Sequence, residues 1–126
     1  IEKGAKLGGT AAISGGIVWV PSNPSMQEKG ISDSREDALA YFRSLDHGEM
    51  SDDSLEAFVD EGANALRFLT ERGALDLQLL EGYPDYYLDN PGAKSDGGRA
   101  LDNALFDFTS LGDWSDKVYN AVKSSG

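Results

Sequence analysis

Cysteine is absent from the 126 residues, which removes disulfides and thiolate metal sites at once and fits a reducing compartment such as the cytoplasm. Positive charge is scarce. Eleven Lys and Arg stand against 22 Asp and Glu, a net charge of −11, so the basic footprint of a nucleic-acid or anionic-membrane binder is missing. No run of about 18 apolar residues exists to cross a bilayer. Neither a secretory leader nor an internal repeat is legible, and the chain opens on Ile1-Glu2 rather than Met, which leaves a processed or truncated start open. The length suits one small domain with a modest core, or a piece of a larger one.

Glycine is plentiful, and it is concentrated early. Residues 1–24 carry Gly4, Gly8, Gly9, Gly15 and Gly16, then an apolar β-like run from Ile17 to Val20, then Pro21 and Pro24. Glycine costs a helix interior about 1 kcal/mol relative to Ala, so irregular backbone leading into a short extended segment is expected over 6–21. Asp33 and Ser34 are good N-caps, with Glu36 and Asp37 three residues on, and Ala38, Leu39, Phe42 and Leu45 make an apolar stripe. A helix over 33–46 follows. A longer helix is expected from Ser51 to Arg72, with Leu55, Phe58, Val59, Gly62, Leu66 and Leu69 facing the core and Gly73 ending it. A short strand over 75–80, a Gly/Pro/Asp-rich loop from Gly82 to Gly112 and a last helix around Trp114 to Lys123 complete the reading.

Several site signatures fail on their own chemistry. "DHGEMSDDSLE", from Asp46, puts Gly48 at the third position of a calcium loop that needs glycine at the sixth. Gly4 and Gly9 have P-loop spacing, but Thr10 stands where a lysine must reach the phosphates. "AISGG" is a loose relative of a nucleophile elbow, yet the single histidine, His47, lies in a polar link between helices and reads as a surface residue. The opening stretch makes better sense as an anion cradle. Paired glycines let backbone N–H groups approach a pyrophosphate, and Thr10 and Ser14 add hydroxyls without bulk. A tight structural turn is the alternative.

"EKGAKLGGTAAISGGIVWVP" resembles the segment after the second strand of the dinucleotide fold in flavoproteins of the fumarate reductase/succinate dehydrogenase superfamily. It is most similar to the 3-ketosteroid dehydrogenase branch, whose pattern there is Glu-Lys, Gly-Gly-Thr, a small run, Ser-Gly-Gly and Trp-x-Pro. The resemblance continues in order through "GISDSREDALAYF", "SLEAFVDEG", "LLEGYPDYY" and "GGRALD", and so covers nearly the whole chain. It implies an α/β parent with a Rossmann-like FAD-binding domain, of which residues 1–126 are a mostly α-helical part with short strands and a Gly-rich loop. The family's G-x-G-x-x-G turn is expected before Glu2, and its catalytic domain after Gly126.

The resemblance implies roles where residues match. Glu2, with Lys3 beside it, matches the acid whose carboxylate holds the adenosine ribose of FAD. Gly8, Gly9, Thr10 and Ala11 match the pyrophosphate contacts, while Ser14, Gly15 and Gly16 match the backbone beside the ribityl chain and flavin ring. Tyr87, the second tyrosine of "YPDYY", matches a substrate-site tyrosine. The implied activity is removal of a hydride and a proton from adjacent carbons next to a carbonyl, with a steroid-like ketone as the small-molecule substrate. The rest of the parent chain would be this segment's partner. A fumarate-reductase-like enzyme acting on an unsaturated acid is the runner-up, and it would need arginines to grip the acid, of which only Arg99 is near. A non-enzymatic acidic helical module that binds a protein is the alternative from another class.

Overall fold

The computed structural model describes residues 2–119. A single 3-10 turn at Ala11–Ile13 interrupts the irregular opening stretch, which leads into β1, Val18–Trp19. No helix runs through 6–21, as expected from its glycines. Three helices follow, each started by a side-chain cap. Asn23 accepts a hydrogen bond from the Met26 N–H to open α1, Pro24–Glu28, with Pro24 in its first turn. Ser34 accepts from the Asp37 N–H to open α2, Arg35–Leu45. Ser51 does the same from Ser54 for α3, Asp52–Glu71, which ends just before Gly73 at φ 66°.

The sheet has the order β1-β3-β2 and is antiparallel throughout, with β2 at Leu77–Glu81 and β3 at Gly97–Asn103. Val18 pairs with Leu101 and Trp19 with Ala100 on one side of β3, and Leu77 and Leu79 pair with Asn103 and Leu101 on the other. Two apolar clusters hold helices and sheet together. Ala38 and Leu39 of α2 meet Leu55 and Val59 of α3, with Phe42 against them. Leu66, further along α3, packs on Val20 and Leu101, flanked by Val18, Leu75, Leu77 and Leu79. Gly62 lies between these clusters, where an added Cβ would stand 3.1 Å from a Val20 methyl. The missing side chain lets α3 approach the sheet.

Three expectations need correction. The loop expected over Gly82–Gly112 contains β3, the central strand, whose first five residues are all buried. The helix expected around Trp114 to Lys123 is instead 3-10 backbone over Phe108–Lys117, broken at Gly112 (φ 51°, ψ −129°) and followed by extended Val118. Its remainder, from Asn120, lies outside the described residues. Phe58 and Leu69 were expected in the core, but they stand 41% and 37% exposed. The parallel Rossmann-like sheet is implied for the parent chain and not for this segment, where parallel pairing among the described residues is limited to one isolated bridge between Leu7 and Val118.

Candidate functional site

The Gly-rich opening is held at both ends and open between them. At one end, Leu7 donates its N–H to the Lys117 carbonyl (2.8 Å) and accepts from the Tyr119 N–H (2.8 Å). At the other, the Gly16 carbonyl accepts from the Asn103 side-chain amide of β3 (3.1 Å). Glu2, Lys3, Gly8, Gly9, Thr10, Ala11, Ser14 and Gly15 are exposed, and Gly16 is half-buried. The Glu2 carboxylate accepts the Gly4 N–H at 2.7 Å. That bond, with smaller help from the N–H groups of Lys3 and Gly8, outweighs partial desolvation and holds its carboxyl below the usual range. Glu2 and Gly8 are thereby neighbours, and Glu2 is an acceptor at neutral pH.

The glycines divide by what surrounds them. A Cβ on Gly8 (φ 121°) would meet the Ala12 Cβ at 2.7 Å, so packing explains that residue. Gly9 (φ 50°) and Gly15 would meet nothing within 4 Å. The space over these two is free for a bound anion, and at Gly9 the left-handed backbone itself favours glycine. Ser14 behaves differently from a free hydroxyl donor. Its Oγ donates to the Ala11 carbonyl (2.9 Å) and accepts the Gly16 N–H (3.2 Å), so it shapes the turn. The exposed acid, the open glycines and the uncrowded small residues fit an extended pyrophosphate-bearing cofactor.

A cavity of about 500 Å³ begins one residue beyond Gly16, at Ile17. Trp19 of β1, Tyr41 and Phe42 of α2, Phe58 of α3 and the Tyr83–Tyr87 turn line it. Trp19 stacks on Tyr41 (centroids 5.8 Å apart) and meets Phe42 edge-on (4.8 Å), and Phe42 meets Phe58 edge-on in turn (5.2 Å). Tyr87 is 59% exposed at the rim, where its N–H donates to the Tyr41 hydroxyl at 3.3 Å. The cradle and Tyr87 thus sit at two margins of one aromatic depression, joined through Ile17 and β1.

Sequence reasoning missed the polar cluster behind that wall. Arg99 of β3 is 1% exposed. Its Nε and Nη2 grip Asp33 (2.9 and 2.7 Å), and its Nη1 donates to Asp85 (2.9 Å) and to the Gly92 carbonyl (2.9 Å). Burial works against both charges. For Asp33, the hydrogen bonds and charge of Arg99, joined by the Ser22 and Ser34 N–H groups, outweigh burial and hold the carboxyl below its ordinary value. Burial would lower Arg99, but Asp33 and then Asp85 outweigh it and raise the guanidinium further. Asp33 therefore does not cap α2, a role left to Ser34. Every nitrogen of Arg99 donates inside the protein, so it does not offer the free cation that gripping a substrate acid would need. The legible signal was "GISDS", which puts Asp33 beside the true cap, but nothing in "GGRALD" marks its arginine as buried.

Comparison with known proteins bears on this arrangement. The family model described as the FAD binding domain matches residues 1–125. The chain is 40% identical over 119 residues to 4-oxocyclohexanecarboxylate 2-dehydrogenase of Sinomonas cyclohexanicum, covering 94% of this chain and 21% of that protein. It is 32% identical over 112 residues to 3-oxosteroid 1-dehydrogenase of Mycolicibacterium smegmatis, covering 89% and 20%. It superposes with a TM-score of 0.82 and 37% identity on 3-ketosteroid delta1-dehydrogenase from Sterolibacterium denitrificans, solved with 1,4-androstadiene-3,17-dione, over 98% of this chain and 22% of that one. The chain spans about a fifth of the length of each. The family match runs along nearly the whole chain, so residues 1–125 belong to the FAD binding domain family, and FAD is the cofactor of that family.

Proposed function

We propose that the chain is one segment of a longer FAD-dependent dehydrogenase with a Rossmann-like FAD-binding domain. Its reaction removes a hydride and a proton from adjacent carbons beside a ring ketone, and its substrate is a steroid-like or oxocyclohexane-type ketone. The observation that carries this reading is the aromatic cavity that begins at Ile17, directly after the cradle, with Tyr87 on its rim. FAD, when bound, supplies the hydride acceptor. The chain's own residues do the rest. Glu2 accepts hydrogen bonds from the ribose hydroxyls, and Gly8, Gly9, Thr10 and Ala11 bring N–H groups to the pyrophosphate. Lys3 sits beside them with its charge, and Ser14, Gly15 and Gly16 form the backbone along the flavin end. Trp19, Tyr41, Phe42 and Phe58 give a flat ring system an apolar surface and keep water from it. The Tyr87 hydroxyl holds or moves a proton beside the reacting carbons.

The test is an anaerobic titration of the full-length flavoprotein with a 3-ketosteroid and, separately, with a 4-oxocyclohexanecarboxylate. Bleaching of the flavin absorbance by either ketone is the expected result. Oxidation of the reduced protein by an unsaturated dicarboxylic acid, with no response to ketones, would replace this reading with that of a carboxylate reductase.

Glu2→Ala in the same protein should weaken FAD retention. The ribose would lose a charged acceptor, so the dissociation constant should rise roughly 10- to 100-fold. Flavin content after exhaustive dialysis measures it, and unchanged occupancy removes Glu2 from the cofactor site.

A further inference from the structure

We infer that Asp85 is a positioning residue that sets the place of Tyr87 through a circuit of hydrogen bonds and one ring stack along the cavity wall. This rests on the reading of Tyr87 as the proton-transfer group.

Within the turn that carries Tyr87, Asp85 is the anchor. Tyr86 and Tyr87 are 79% and 59% exposed, while Asp85 is 5% exposed. Its N–H donates to the Lys94 carbonyl (3.0 Å), and its Oδ2 accepts the Lys94 N–H and the Arg99 Nη1 (2.9 Å each). Its Oδ1 accepts the Trp19 indole N–H at 2.6 Å. One carboxylate therefore ties the turn to β1, to β3 and to the segment before β3. Trp19 stacks on Tyr41, and the Tyr41 hydroxyl accepts the Tyr87 N–H. The circuit runs from Asp85 through Trp19 and Tyr41 and returns to Tyr87, two residues along the chain.

Two acceptor oxygens suit this point. Both oxygens accept from donors, and the amide of an asparagine would turn an NH2 toward either the indole N–H or the guanidinium. Arg99 makes two bonds to Asp33 that do not involve Asp85, so support of the fold and placement of Tyr87 can be tested separately. Placement matters because a displacement of about 1 Å in a reacting group can cost roughly 100-fold in rate.

The test uses the full-length flavoprotein carrying Asp85→Asn, Tyr87→Phe and both together. For Asp85→Asn, kcat should fall about 10- to 100-fold, with flavin content unchanged and KM within about twofold. In the Tyr87→Phe background the same change should cost almost nothing further, because the group it places is already gone. Losses that multiply in the double variant, or a fall in flavin content alongside kcat, would make Asp85 merely structural and overturn the inference while leaving Tyr87 in its role. A Tyr87→Phe enzyme turning over at the parental rate would instead remove Tyr87, and the inference with it. If Asp85→Asn fails to fold, Trp19→Phe keeps a ring in the wall and deletes only the indole donor to Oδ1. Its kcat loss should likewise vanish in the Tyr87→Phe background, and persistence there overturns the inference.

Discussion

Tyr87→Phe in the full-length enzyme should leave folding and flavin content intact and lower turnover by about 10²–10⁴-fold, the range for loss of a true acid or base. The side chain is more than half exposed at the cavity rim and its fixed contact is through the backbone N–H, so removing the hydroxyl deletes no buried hydrogen bond. A phenol has an ordinary pKa of about 10 and needs a partner base or a polarised network to act near neutral pH. Among the described residues lining the cavity the single carboxylate is Asp85, and its oxygens accept from Trp19, Lys94 and Arg99. The partner must therefore reach Tyr87 from outside this lining. Steady-state turnover and single-turnover flavin reduction measure the effect together. Parental rates in both would make Tyr87 a packing residue and take from the steroid-type reading its main side chain.

Arg99→Met should be the most damaging single change to stability, at about 3–5 kcal/mol, because it leaves Asp33 and Asp85 buried without their countercharge. The two carboxylate side chains are 1% and 3% exposed. A denaturant midpoint that falls at unchanged slope is the expected signature, and a shift under about 1 kcal/mol would show that the cluster relaxes into water. The pH dependence carries a sign. The carboxyl of Asp33 is lowered in the native protein, so its contribution is fully present above about pH 4, the ordinary aspartate value, and is lost as the pH falls through the lower native value. In the Arg99→Met protein the bonds and charge that chiefly opposed burial at Asp33 are lost, leaving only the Ser22 and Ser34 N–H groups against it, so that carboxyl rises. Acidification toward pH 4 should then narrow the gap between variant and parent.

Sequence and structure agree where a local rule had a strong local signal. Ser34 and Ser51 stand at the starts of α2 and α3, followed by apolar residues at helical spacing, and both helices begin within two residues of the expected positions. The same rules missed β3 because "GGRALDN" breaks every expectation of a central strand. Two glycines, an arginine and an aspartate leave no alternation of apolar and polar residues. The strand is buried for reasons that lie elsewhere in the chain. Asp33 and Asp85 neutralise Arg99, and Gly98 gives room to Met26, whose methyl would stand 2.9 Å from an added Cβ. Phe58 fails as a core residue for a related reason. Periodicity puts it on the helical stripe, but its ring meets Phe42 edge-on and faces the cavity. For the site, the resemblance pointed to the cradle and to Tyr87, and the cluster that braces the aromatic wall could not be read without the fold.

The strand order β1-β3-β2 also governs when, during synthesis, the cofactor cradle can acquire its shape. Among the described residues β1 pairs only with β3, and the bond that pins Gly16 comes from Asn103, 87 residues later. A ribosome-bound chain that has emerged only as far as β2 can form α2 and α3, whose contacts are local, but β1 must wait with its edge unpaired. Closing so long a loop is entropically slow, and during that delay the apolar run from Ile17 to Val20 is an exposed strand edge open to wrong pairing. On the proposed reading of the cradle, emergence of Gly97–Asn103 should then set when flavin can be taken up. Nascent chains arrested before residue 97 should not retain FAD, however complete their glycine-rich segment.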